Sequence, residues 1–208
     1  KVVFLCNPNN PTGTSVGEAE FEGFMNDLPP DVLLVIDEAY YEYVRRSDFP
    51  DSLSWIGQRP GICVLRTFSK IYGLAGVRVG YGVMDIELAS YLERARHPFN
   101  VNSIAEVGAL AALDDHGHVD YSRRVNADGI RYLTMALEEL GIHVWPTDAN
   151  FLLAETGGDV YEPLLRKGVI VRPMEGFGMP ACVRITVGTR EENRRCVAAL
   201  SEIRGAKI

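Results

Sequence analysis

The chain has 208 residues, with 21 basic against 28 acidic side chains and a net charge of -7. Its length suits one domain or two small ones, and 47% hydrophobic with 24% charged residues is an ordinary globular composition. An acidic chain without a basic block argues against nucleic acid as a partner, and no apolar run reaches the roughly 18 residues of a membrane span.

A secretory signal peptide is not expected, and the first strand-like run is Val2-Val3-Phe4-Leu5. A chain that opens at Lys1 directly on such a run reads as a piece of a longer protein. Cys6, Cys63, Cys182 and Cys196 have no CxxC spacing, which points to free thiols in a reducing cytoplasm.

In chain order, a strand is predicted over 1–6, then a polar loop over 7–13 and a helix over 16–27. Ser15 with Glu18 three residues later predicts a capping box for that helix. The continuous apolar run 32–37 predicts a strand covered on both faces. Strands follow at 62–67 and 77–83, then helices over 86–96, 103–114 and 119–140. The order strand, loop, helix, strand implies an α/β fold with a mostly parallel sheet flanked by helices. The stretch 68–76 is too short for a crossover helix, so the 77–83 strand is expected to run antiparallel to its predecessor. Beyond about 118 the pattern changes to a small α+β unit: strands at 143–145, 151–154, 169–171 and 183–187, with helices at 160–167 and 191–204. The expected domains are 1–117 and 118–208.

Three segments carry candidate chemistry. Asp37 ends the buried 32–37 strand, where ligands sit in open α/β sheets, and a carboxylate there calls for a cationic partner. Lys70 follows a strand in Arg66-Thr67-Phe68-Ser69-Lys70, and Arg78 comes after the turn Gly73-Leu74-Ala75-Gly76. Thr67, Ser69 and Arg78 together suit a phosphate, through two hydroxyls and a guanidinium fork. A lysine beside such a site is set up for imine chemistry. The loop Asn7-Pro8-Asn9-Asn10-Pro11-Thr12-Gly13 is stiffened by two prolines, and the residue before Pro11 is biased to extended backbone that projects the Asn10 amide. His116 and His118 lack further ligands, so no metal is expected.

Taken in order, Asn-Pro-Thr-Gly (10–13), Asp-Glu-Ala-Tyr (37–40), Thr-Phe-Ser-Lys (67–70) with Gly-Leu-Ala-Gly-Val-Arg (73–78), and Val-Arg-Ile-Thr-Val-Gly (183–188) resemble the fold-type I pyridoxal-phosphate aminotransferases. The resemblance implies the C-terminal part of the large cofactor-binding domain plus the small C-terminal domain. It implies that Lys70 carries pyridoxal phosphate and moves the substrate proton, and that Asp37 pairs with the ring nitrogen. It places Asn10 and Tyr40 on the cofactor's phenolic oxygen, and Thr67, Ser69 and Arg78 on its phosphate. Arg184, with Asn10, is placed on the substrate carboxylate.

Within the family, Pro98-Phe99-Asn100-Val101-Asn102, Val169-Ile170-Val171-Arg172-Pro173 and Gly176-Phe177-Gly178-Met179-Pro180 are similar to the histidinol-phosphate aminotransferases. That likeness adds Arg172 as a contact for a phosphorylated side chain. It implies ping-pong amino transfer from histidinol phosphate to 2-oxoglutarate, in a cytoplasmic homodimer. Other aromatic aminotransferases and threonine-phosphate-type decarboxylases share much of the pattern, and a non-catalytic remnant or interaction module is the reading from another class. Members of the family carry a sizeable N-terminal part that completes the cofactor cup. The expectation is therefore that this chain alone binds the cofactor weakly and does not turn over.

Overall fold

The computed structural model describes residues 1–205, which divide into two compact units. The first unit holds Lys1–Asn9 and Ser15–Tyr121, and the second holds Asn10–Thr14 and the chain from Ser122 onward. The division falls after Tyr121 rather than after 117, and it assigns part of the first polar loop to the second unit.

In the first unit, β1 (Val2–Cys6), β2 (Leu33–Asp37), β3 (Ile62–Thr67) and β4 (Gly80–Met84) form one sheet in that spatial order. β1, β2 and β3 are parallel, and β4 is antiparallel to β3, with Thr67 opposite Gly80. The short connection leaves the chain no other way back. Leu34, Val35 and Ile36 of β2 are all buried, so this strand is covered on both faces as its unbroken apolar run implies. Helix α1 (Glu18–Asp27) buries Phe21 and Met25, four residues apart on one face, in a cluster with Leu34, Ile36, Ile62 and Val64.

The predicted cap of α1 is displaced. Arg46 Nη1 donates to both the carbonyl and the hydroxyl of Ser15, at 2.7 and 3.2 Å, which takes that residue out of the capping position. Gly17 caps instead, its N–H donating to Glu20 Oε2 at 3.0 Å. Helices α2 (Ile86–Ala95) and α3 (Ser103–Asp114) are capped by Asp85 and Asn102, whose side chains accept from Leu88 N and Ala105 N. Helix α4 (His116–Glu139) starts before the predicted 119 and continues into the second unit.

The second unit contains an antiparallel sheet in the order β5-β6-β8-β7, built from β5 (His143–Val144), β6 (Phe151–Glu155), β7 (Arg172–Pro173) and β8 (Cys182–Thr186). Helices α5 (Tyr161–Arg166) and α6 (Arg190–Arg204) complete it. Leu133 and Leu137 of α4, Leu152 of β6, Ile185 of β8 and Leu200 of α6 meet in its core. The strand expected at 169–171 lies instead at Arg172–Pro173. Val169 N donates to Leu164 O at 3.0 Å and Gly168 adopts φ 71°, so these residues close α5 rather than join the sheet. Thr189 and Glu192 form a reciprocal capping box at the start of α6.

All four cysteines are free thiols. Among the described residues no helix is long and apolar enough to cross a membrane.

Candidate functional site

The carboxyl ends of β2 and β3 open on a concavity of about 590 Å³ in the first unit. Asp37, Thr67, Ser69, Lys70 and Arg78 all line it. Asp37 is the last residue of β2, and its backbone is fixed by Asn7 N donating to Asp37 O at 3.0 Å. Asp37 Oδ1 accepts from Ala39 N at 3.0 Å, which orients the carboxylate and leaves its second oxygen to accept elsewhere. Burial and then the Asp37 carboxylate, opposite it in the β1–β2 register, raise the Cys6 thiol above its ordinary value.

The loop after β3 arranges donors. Ser69 N donates to Thr67 Oγ1 at 3.0 Å, so the Thr67 O–H is left to donate. Arg78 Nη1 donates to Ala75 O at 2.9 Å and approaches Ser69 Oγ at 3.4 Å. Arg78 sits in the left-handed region, at φ 58° and ψ 64°, a conformation costly for a side chain of its size and common at ligand clamps. Gly80, facing this loop, has no room for a side chain: an added Cβ would lie 2.9 Å from Arg66 O. Lys70 Nζ is 5.3 Å from the centre of the Tyr40 ring, which places Tyr40 beside the lysine.

Sequence reasoning missed a second layer here. Glu38 is fully buried, and its Oε2 accepts from Arg66 Nε at 2.9 Å and pairs with Nη2 at 2.8 Å. The Arg66 guanidinium lies 3.6 Å over the Tyr41 ring and also lines the concavity. Burial raises the Glu38 carboxyl above its ordinary value, against the pull of Ser52 and Arg66. The available signal was the second carboxylate of Asp-Glu-Ala-Tyr, in a position buried behind the first.

The other expected residues belong to the second unit. Arg172 and Arg184 are opposite one another across β7 and β8 and line one concavity of about 430 Å³, together with Tyr161 and Thr186. Arg184 Nη1 donates to Asn10 Oδ1 at 2.5 Å, and its guanidinium lies 4.8 Å from the centre of the Phe151 ring. Arg184 Nε is buried without a hydrogen-bond partner, a donor available to an acceptor that enters. The Asn10 loop is held by Asp148 N donating to Gly13 O at 2.9 Å. Gly13 has φ 78°, and a Cβ there would lie 2.2 Å from Thr147 Oγ1, which accounts for glycine at the end of Asn-Pro-Thr-Gly.

His118 is tied into the first unit: its Nε2 is 3.0 Å from Ile71 O, and its N–H donates to Asp115 Oδ1. Among the described residues no group of three or more His, Cys, Asp or Glu is placed to hold a metal ion.

Residues 1–200 match the family model described as aminotransferase class I and II. The chain is 52% identical over 206 residues to histidinol-phosphate aminotransferase 1 of Nitrosococcus oceani, covering 98% of this chain and 56% of that protein. It is 50% identical to the histidinol-phosphate aminotransferase of Moorella thermoacetica, covering 98% of this chain and 54% of that one. The structure is similar to the crystal structure of histidinol-phosphate aminotransferase from Sinorhizobium meliloti in complex with pyridoxal-5'-phosphate, with a TM-score of 0.89 and 30% identity. That match covers 98% of this chain and 57% of the other. The chain thus spans about half the length of the curated relatives it matches.

Proposed function

The chain belongs to the class I and II aminotransferases, and from that premise we propose that it provides the lysine-bearing part of a pyridoxal-phosphate enzyme that moves an amino group from histidinol phosphate to 2-oxoglutarate. The observation that carries this reading is the set Asp37, Thr67, Ser69, Lys70 and Arg78 around one concavity at the carboxyl ends of β2 and β3. The donor set fits the group. Two hydroxyls and a guanidinium meet the needs of a phosphate, a carboxylate meets those of a protonated ring nitrogen, and an amine meets those of an aldehyde.

Bound there, pyridoxal phosphate supplies an aldehyde that takes up amines and a ring that withdraws electrons from the substrate Cα. The chain's own groups do the rest. Thr67 and Ser69 would donate hydrogen bonds from their hydroxyls to the phosphate oxygens, and Arg78 would add charge. Asp37 would hold a proton at the ring nitrogen. Tyr40, beside Lys70, would donate its hydroxyl to the phenolic oxygen. Lys70 Nζ would move the proton between the substrate Cα and the cofactor carbon that carries its aldehyde.

In the second unit, Arg184 and Arg172 take the anionic groups of the substrate, with Asn10 orienting Arg184. A substrate bearing a phosphate remote from its amine, opposite a carboxylate-bearing oxo acid, suits two guanidinium groups in one concavity. The relatives named histidinol-phosphate aminotransferase, at 52% and 50% identity, support this choice of substrate. Exposed apolar side chains on α3 (Ile104, Val107 and Leu110), with Phe99 before it, support association with a second copy.

Titration of the chain with pyridoxal phosphate tests the cofactor reading. A saturable imine absorbance band is expected in the wild type, and only the weak, unsaturable signal of the remaining amines in Lys70→Ala. An equal band in both contradicts it. For the reaction, tested with the chain joined to the remainder of such an enzyme, glutamate formed from histidinol phosphate and 2-oxoglutarate supports amino transfer, and release of CO₂ instead contradicts it.

A further inference from the structure

Arg66 connects three segments, and each connection lies one residue from a proposed cofactor contact. Its own neighbour is Thr67. Its ion-pair partner Glu38 follows Asp37. The ring it covers, Tyr41, follows Tyr40. Glu38 N also donates to Leu65 O at 2.9 Å, so the end of β2 is joined to β3 through backbone and side chain together. The guanidinium is fixed in position, in plane by two contacts to Glu38 Oε2 and from its face by Tyr41. Its side chain is 13% exposed and that of Glu38 0%, so little water screens the pair.

We propose that Arg66 is a positioning residue, held by Glu38 and Tyr41, that sets Asp37, Tyr40 and Thr67 at the spacing the cofactor requires. This deepens the proposed function and rests on it for what the concavity holds. The positioning itself is a property of the chain without ligand. Two backbone amides report it directly: Ala39 N, which donates to Asp37 Oδ1, and Ser69 N, which donates to Thr67 Oγ1. Each exchanges with solvent only when the local arrangement opens. An arginine fork cannot be replaced by a lysine point charge, so charge alone does not restore it.

The test is residue-resolved hydrogen exchange on the whole chain in Arg66→Met, Arg66→Lys, Glu38→Gln and Tyr41→Phe, with pyridoxal phosphate affinity measured alongside. Exchange at Ala39 and Ser69 is expected to quicken by about tenfold or more in Arg66→Met and Glu38→Gln. Arg66→Lys is expected to recover part of the protection, and Tyr41→Phe, which keeps the ring, nearly all of it. Val35 and Val64, inside β2 and β3, are expected to keep their wild-type rates. Unchanged rates at Ala39 and Ser69 would overturn the inference, as would an equal rise throughout β1 to β4, the mark of general destabilisation. Should Arg66→Met fail to fold, the isosteric Glu38→Gln decides by the same criteria. Cofactor affinity should fall in step with lost protection. A wild-type chain without any cofactor signal contradicts the proposed function, and the exchange rates still decide the role of Arg66.

Discussion

Arg172 and Arg184 face each other as cross-strand partners in the antiparallel pair β7–β8, two cations on one face of a sheet. Like charges directly opposite are unfavourable by roughly 0.2–1 kcal/mol, so an anion between them is stabilised from both sides. Phosphate is expected to raise the melting temperature of the chain in a thermal shift assay. Arg172→Gln should reduce that rise, leaving the part that the Thr67, Ser69 and Arg78 concavity contributes. Without phosphate and at low ionic strength, the same variant should be slightly more stable than wild type, by up to about 1 kcal/mol, and salt should shrink the difference.

Gly13 is a second point where the Asn10 loop can be tested. Its φ of 78° and the 2.2 Å approach of a built Cβ to Thr147 Oγ1 leave no space for alanine. Thr147 Oγ1 cannot give way freely, because it donates to Phe151 O at 2.7 Å and accepts from Ala149 N. Gly13→Ala is expected to destabilise the chain by about 2–4 kcal/mol in denaturant unfolding, through strain and a broken buried hydrogen bond. It should weaken the phosphate effect as well, since Asn10 orients Arg184.

The pH dependence of stability has a contribution from Cys196, which α6 buries. Burial pushes its thiol from 9.0 up to about 11. With the folded value above the unfolded one, the stabilising contribution is complete below about pH 9 and is lost as pH rises through about 11, roughly 2–3 kcal/mol over that window. Guanidinium unfolding of Cys196→Ala should show lower stability at pH 7, from the space left behind, and a flatter decline between pH 9 and 11.

Asp37→Asn separates charge from structure at the first concavity. The substitution is isosteric and keeps an oxygen for the Ala39 N–H, so thermal stability should change little. Loss of the charge-assisted bond to the ring nitrogen should weaken pyridoxal phosphate binding by about 10- to 100-fold in an absorbance titration.

Much of this fold was legible in the sequence because its signals are local. The unbroken apolar run of β2 announced a strand covered on both faces, and the short connection after β3 required β4 to return antiparallel. The loop chemistry of Thr67, Ser69, Lys70 and Arg78 was equally local, and the structure brings these residues together. What spacing cannot reveal is pairing over long separations. Arg66 finds Glu38 across 28 positions and Arg184 finds Asn10 across 174. Ser15 was misread as a cap because Arg46, 31 residues away, claims its oxygens. The strand expected at 169–171 was misplaced because Gly168 lets the chain fold back onto the end of α5 before the sheet begins.

Site-resolved labelling of the lysines tests the central claim most directly. The chain has four, Lys1, Lys70, Lys167 and Lys207, and of the three among the described residues only Lys70 lines the concavity with Asp37 and Arg78. The chain is incubated with increasing pyridoxal phosphate, reduced with borohydride and mapped by peptide mass spectrometry. The account predicts that Lys70 is labelled first and saturably, that phosphate competes, and that Arg78→Met lowers the yield. Equal labelling of all four lysines, or labelling of the others in preference to Lys70, would contradict it.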